Sequence, residues 1–141
     1  MRSIVFIIVL FCVIAWTCTK DKIVDTTVFV ETPVNLIGSW NWLYTSGGFT
    51  GKSYSSPETT GEIKRIEFDA NNNYKYYIND ALISDRKFQV EKGKTITSQD
   101  SALIIRIIDG IRQSITFRTD DTLILFDQCY DCYEHLFNRI K

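Results

Sequence analysis

Cys129 and Cys132 are separated by two residues, and His135 follows three positions later, the densest group of metal-ligating side chains in the chain. Zinc takes four ligands, commonly thiolates and imidazoles. This run offers three, and no fourth is evident. The same spacing suits a disulfide across a turn, which closes so small a loop that it adds little stability, and it also suits free or partly oxidised thiols. A thiol–disulfide catalyst needs Cys-x-x-Cys in a βαβ setting, and no such pattern surrounds this pair. A disulfide is the first expectation, free thiols the second and a metal the third; no cofactor is expected.

Ser46-Gly-Gly-Phe-Thr-Gly51 is the second chemical candidate. A phosphate loop needs a preceding strand, a following helix N-terminus and a defined glycine spacing, and this segment lacks the helix and the spacing. Gly47, Gly48, Gly51 and Gly61 read instead as a long loop able to fold over one end of a barrel, with Phe49 and Tyr54 as plugs. The single histidine removes most catalytic triads. His135 is in phase with Tyr133, Phe137 and Arg139, as a satisfied barrel residue would be, and Asp120, Asp121, Asp127 and Asp131 read as turn residues. No catalytic activity is expected.

With 141 residues, 45% of them hydrophobic, the chain can bury one core of ordinary size. Lys plus Arg total 16 against 17 Asp plus Glu, with no basic run, which argues against a nucleic-acid partner. There is no internal repeat. One domain and a monomer are expected.

Met1-Arg2-Ser3 is a short positive head, and residues 4–16 are uncharged and mostly branched or aromatic, as in a signal peptide. The charges at Lys20, Asp21 and Lys22 come before the roughly 20 apolar residues that a spanning helix needs. Ala15-Trp16-Thr17-Cys18 resembles a bacterial lipobox, which implies cleavage after residue 17, lipidation of Cys18 and attachment to a membrane. Residues 18–35 then form a tether. Ile23 to Glu31 is rich in β-branched residues and can add a short edge strand before Pro33 interrupts it.

From Leu36 the period changes to alternating apolar and polar residues between turns, the signature of strands. Eight runs are expected in residues 36–141: Gly38–Thr45, Glu62–Phe68, one around Tyr74, Tyr76 and Ile78, one around Arg86, Phe88 and Val90 that ends at Lys92-Gly93-Lys94, then Ser101–Ile108, Ile111–Arg118, Thr122–Gln128 and Tyr133–Ile140. Asp109-Gly110 signals a tight hairpin. Eight antiparallel strands with short connections hide their edges by closing into an up-and-down barrel. The fold expected is therefore an all-β, eight-stranded antiparallel barrel, with a sandwich as the other closure.

Gly-x-Trp at Gly38 and Trp40, opening the first strand, resembles the lipocalin signature, and Arg139 in Phe-Asn-Arg-Ile matches the arginine that lies across that tryptophan. Leu36-Ile-Gly-Ser-Trp, Gly-Gly-Phe-Thr-Gly, Asp-Thr-Leu-Ile-Leu-Phe-Asp-Gln-Cys-Tyr-Asp and the terminal Phe-Asn-Arg-Ile look like the lipocalin-like lipoproteins of diderm bacterial envelopes, a resemblance covering Leu36 to Ile140. It implies a lipid-anchored envelope protein, in the outer membrane with a periplasmic or surface face, that binds a small ligand. Eight strands enclose an interior that is either filled by side chains or able to hold one small ligand. Trp40, Trp42, Tyr44, Tyr74, Tyr76, Phe88 and Phe117 are expected inside, with Trp42, Tyr44, Lys64, Tyr76, Arg86 and Gln113 lining a mouth or pocket. Two functions follow from this pattern. Either a small apolar or amphipathic ligand sits in the barrel, or a filled barrel displays the 46–61 loop to an envelope protein or glycan.

Overall fold

The computed structural model describes residues 28–96, 98 and 101–141; the expected signal peptide, Cys18 and the first part of the tether lie outside them. Ten strands, β1 (Val28–Val30), β2 (Gly38–Gly47), β3 (Ser53–Ser55), β4 (Lys64–Phe68), β5 (Asn73–Ile78), β6 (Ala81–Lys94), β7 (Ser101–Ile107), β8 (Arg112–Thr119), β9 (Thr122–Asp127) and β10 (Tyr133–Arg139), form one antiparallel sheet, and a single helical turn, α1 (Pro57–Thr60), follows β3. Eight of the strands close into a barrel: β2, β4, β5, β6, β7, β8, β9 and β10 pair in that order, and β10 returns to β2. Closure removes the unpaired edges that an open sheet of these short strands would expose.

Local chemistry sets the hairpins. Asn79 and Asp80 both have positive φ, 49° and 62°, so they form a two-residue turn that matches the twist of β5 and β6, whose ends pair at Ile78 and Ala81. In the β7–β8 turn the left-handed residue is Asp109, not the glycine beside it, and the hairpin is wider than two residues: Ile107 N–H donates to the Ile111 carbonyl. Gly93 does not end its strand. It lies inside β6, and Arg112 passes beside it, 3.8 Å from where a Cβ would stand, to pair with the buried Glu91 at 2.6 Å.

The base of the barrel is packed solid. Leu36, Trp40, Phe68, Phe88, Val90, Ile105, Ile115 and Leu123 are buried there, with Leu103 and Phe117 against them. The Trp40 indole donates from Nε1 to the Leu36 carbonyl at 3.0 Å, and the Arg139 guanidinium lies 4.0 Å from its ring centre. Arg139 also donates to the carbonyls of Asn35, Ile37 and Asp120, so it binds the incoming chain to the β8–β9 turn. Glycine is required at position 38: φ is 137°, and a Cβ would stand 2.6 Å from Arg139 Nη1. Any side chain there would push the guanidinium off the indole.

The N-terminal segment is part of this base. β1 pairs with β6 from Val28 opposite Lys92 to Val30 opposite Val90, so the edge strand expected in the tether is present, and the ordered sheet starts before Leu36. Two of the remaining differences concern the glycine loop. It is organised, with β3 extending the β2 edge and α1 closing on Gly61, whose φ is 71°.

Candidate functional site

Above the packed base the barrel is hollow. A cavity of about 420 Å³ opens at the end formed by the 48–63 loop and the β5–β6, β7–β8 and β9–β10 turns, and all eight barrel strands contribute to its lining. That volume is within the range of small-molecule sites. It stands against a barrel filled by side chains: Trp40, Phe68, Phe88 and Phe117 pack the base, while Trp42, Tyr74 and Tyr76 line the walls of the space above it.

Trp42, Lys64, Tyr76, Arg86 and Gln113, five of the residues expected around a pocket, line this space. Tyr44 does not. β2 carries a bulge opposite Leu136 and Phe137, which pair with Tyr44 and Trp42 and leave Leu43 over. The extra residue reverses the alternation, so Thr45 points inward and Tyr44 turns outward onto Tyr54, 5.6 Å between ring centres. The loop residues differ from expectation for the same reason. Tyr54 follows Tyr44 to the outside at 60% exposure, Phe49 is 87% exposed, and neither plugs the mouth. Gly47 and Gly48 are fixed by the neighbouring turn: Gly48 N–H donates to the Cys132 carbonyl at 3.0 Å, and a side chain on Gly47 would collide with that carbonyl. Only Ser55 of the loop reaches the lining.

Cys129 and Cys132 are joined as a disulfide in the β9–β10 turn, which removes the thiolates that a zinc site would use. His135 faces the other way, into the barrel. Its Nδ1 lies 2.8 Å from the Thr45 hydroxyl, which accepts a hydrogen bond from the Trp42 indole at 2.9 Å, and its Nε2 lies 3.3 Å from both oxygens of Asp127. Gln113 donates to the same carboxylate at 2.7 Å. A proton on Nε2 points at Asp127, and Nδ1, where it carries no proton, accepts from Thr45. Thr45, His135 and Asp127 thus stand in hydroxyl–imidazole–carboxylate order, with Thr45 and His135 in the cavity wall and Asp127 behind the imidazole. The sequence reading missed Thr45, hidden by the bulge, and Asp127, which is the last residue of β9 and not a turn residue.

Burial pushes the Asp127 carboxyl up, but the hydrogen bonds from His135 and Gln113, the His135 charge and the Tyr133 N–H outweigh it, and the group lies below its ordinary value of 3.8. A depressed carboxyl stabilises the fold above its unfolded value, and that contribution is lost as pH falls through the folded one. Asp127→Asn lacks this titration. The melting-temperature gap between wild type and Asp127→Asn is therefore expected to be widest near pH 6 and to narrow below about pH 3.8. A gap of constant width across that range in thermal melts would show that the row contributes nothing to acid stability.

Lys64 lies over the Trp42 ring, 4.3 Å from its centre, and pairs with Glu62 at 3.0 Å. Arg86 stands at a seam. Toward the mouth from Lys87, no strand pairs with the β7 side of β6, and Arg86 Nη1 bridges the gap by donating to the carbonyls of Ile108 and Asp109. Together these features define a β-barrel cup: eight strands, a sealed base and one open cavity. No protein-family model, curated protein or solved structure matches the chain.

Proposed function

We propose that the protein is a lipocalin-like lipoprotein of a bacterial envelope, tethered to the membrane through Cys18, which binds a small apolar or amphipathic ligand in the barrel and carries out no chemistry on it. The observation that carries this reading is the 420 Å³ cavity, with aromatic and aliphatic walls and a few polar groups among them. Such a mixture fixes a ligand's orientation through the polar groups and gains most of its affinity from apolar contact. The hydroxyl–imidazole–carboxylate row does not alter the reading. The Trp42 indole donates to the Thr45 oxygen and lowers its nucleophilicity, which suits a structural hydroxyl better than an attacking one.

The barrel purified without detergent is expected to give a native mass spectrum with one added small-molecule mass, which disappears after extraction with organic solvent. An apo mass alone, together with no uptake of the neutral probe N-phenyl-1-naphthylamine, would overturn the proposal. The tether is checked separately: palmitate labelling of the full chain is expected in wild type and absent in Cys18→Ala, and equal labelling would refute lipidation at that residue.

A further inference from the structure

The two sides of the cavity differ in chemistry. Ile107, Ile111, Leu125 and Phe137 make the β7–β10 side mainly apolar, and its two polar members, Gln113 and His135, are already bonded to Asp127. Facing it, Lys64, Tyr74, Tyr76, Ser84 and Arg86 come from β4, β5 and β6. The pairing groups them, since Tyr74 is opposite Arg86 and Tyr76 is opposite Ser84 across one hairpin. These are hydrogen-bond donors, and among the described residues no aspartate or glutamate lines the cavity. The nearest carboxylates are already engaged, Glu62 with Lys64 and Asp127 with His135 and Gln113. Arg86 holds two backbone carbonyls through Nη1 but, among the described residues, pairs with no carboxylate. Burial pushes the ionisation of the Tyr74 and Tyr76 phenols to higher pH, so both keep their protons and remain donors.

We propose that the cavity takes an amphipathic molecule with one anionic head: the head lies at Arg86 and accepts hydrogen bonds from Tyr74, Tyr76 and Ser84, and the apolar body lies along Ile107, Ile111, Leu125 and Phe137. A guanidinium with free donors at the mouth of an apolar space favours a carboxylate or sulfonate, because its fork matches two acceptor oxygens. A cationic head would meet two cations and no free carboxylate. A wholly apolar ligand would leave the donor wall unused.

The inference rests on the ligand-binding reading, and two probes of similar size and shape separate them. The anion 1-anilinonaphthalene-8-sulfonate is expected to bind wild type about tenfold more tightly than neutral N-phenyl-1-naphthylamine. Arg86→Met should remove most of that preference and leave the neutral probe unaffected, while Arg86→Lys should restore part of it. Arg86 also holds the β7–β8 turn, so Tyr76→Phe with Ser84→Ala tests the same wall without touching the seam. That pair should weaken the anion about tenfold and the neutral probe hardly at all. Equal affinity for the two probes in wild type, or an anion preference that survives both sets of substitutions, would refute the anionic head and leave the cavity as a binding site. If neither probe binds, both readings fail.

Discussion

Trp40→Ala is expected to lower the free energy of unfolding by about 4 kcal/mol, the cost of truncating a large buried aromatic. Three losses combine at this position. The side chain is 0% exposed and packs into the base core against Phe117, 6.2 Å between ring centres. Its indole N–H satisfies the carbonyl of Leu36, a residue that is itself fully buried, and its face supports the Arg139 guanidinium, an interaction of about 0.5 to 2 kcal/mol. Domains of this size have about 5–15 kcal/mol in all, so the change removes a large share and should move the urea midpoint strongly. Trp40→Phe keeps a ring and loses the N–H, and about 1–2 kcal/mol is expected. If the alanine variant costs less than about 2 kcal/mol in urea titrations, the base can collapse around the gap and the tryptophan does not seal it.

Ser84→Trp is expected to abolish ligand binding, at least a hundredfold loss for N-phenyl-1-naphthylamine, with a change in stability of about 1–2 kcal/mol or less. Ser84 is half-buried, lies on the inner face of β6 opposite Tyr76, and lines the cavity. An indole placed there projects into the empty upper half of the barrel and not into the packed base, so it fills space a ligand needs while displacing few native contacts. Fluorescence titration with the neutral probe gives the answer. Full binding by a folded Ser84→Trp variant would place the ligand on the outside of the barrel.

The eight barrel strands and their closure were legible in the sequence because each depends on a local rule, and the Trp40–Arg139 contact was expected from the resemblance of Gly38-x-Trp40 and Phe-Asn-Arg-Ile to the lipocalin pattern. Period-two alternation marks a strand, and Asn79-Asp80 marks a tight turn. What stayed hidden was set by partner strands. Alternation through Trp40, Trp42 and Tyr44 points all three inward, and only the pairing with β10 shows that Leu43 is the bulged residue. From there the error spreads along the chain: Thr45 enters the cavity, Tyr44 leaves it, and Tyr54 follows Tyr44. Gly93 looked like a terminator because glycine weakens strands in general, yet β6 is held there by β1 and β7 on its two edges. Asp127 is one residue from a turn, and nothing local in its sequence signals the imidazole beside it. The cavity itself was the hardest feature to read. The inward residues have the bulk to fill a barrel, but composition does not say that they collect at one end.

β1 gives the barrel a direction. It runs antiparallel to β6 and starts opposite Lys92, so the chain joins the sheet beside the sealed base, at the end far from the mouth. A surface that holds this protein by its N-terminus would therefore hold it upright like a cup on its stem, rim outward. On the proposed reading, ligand is exchanged with whatever faces the rim.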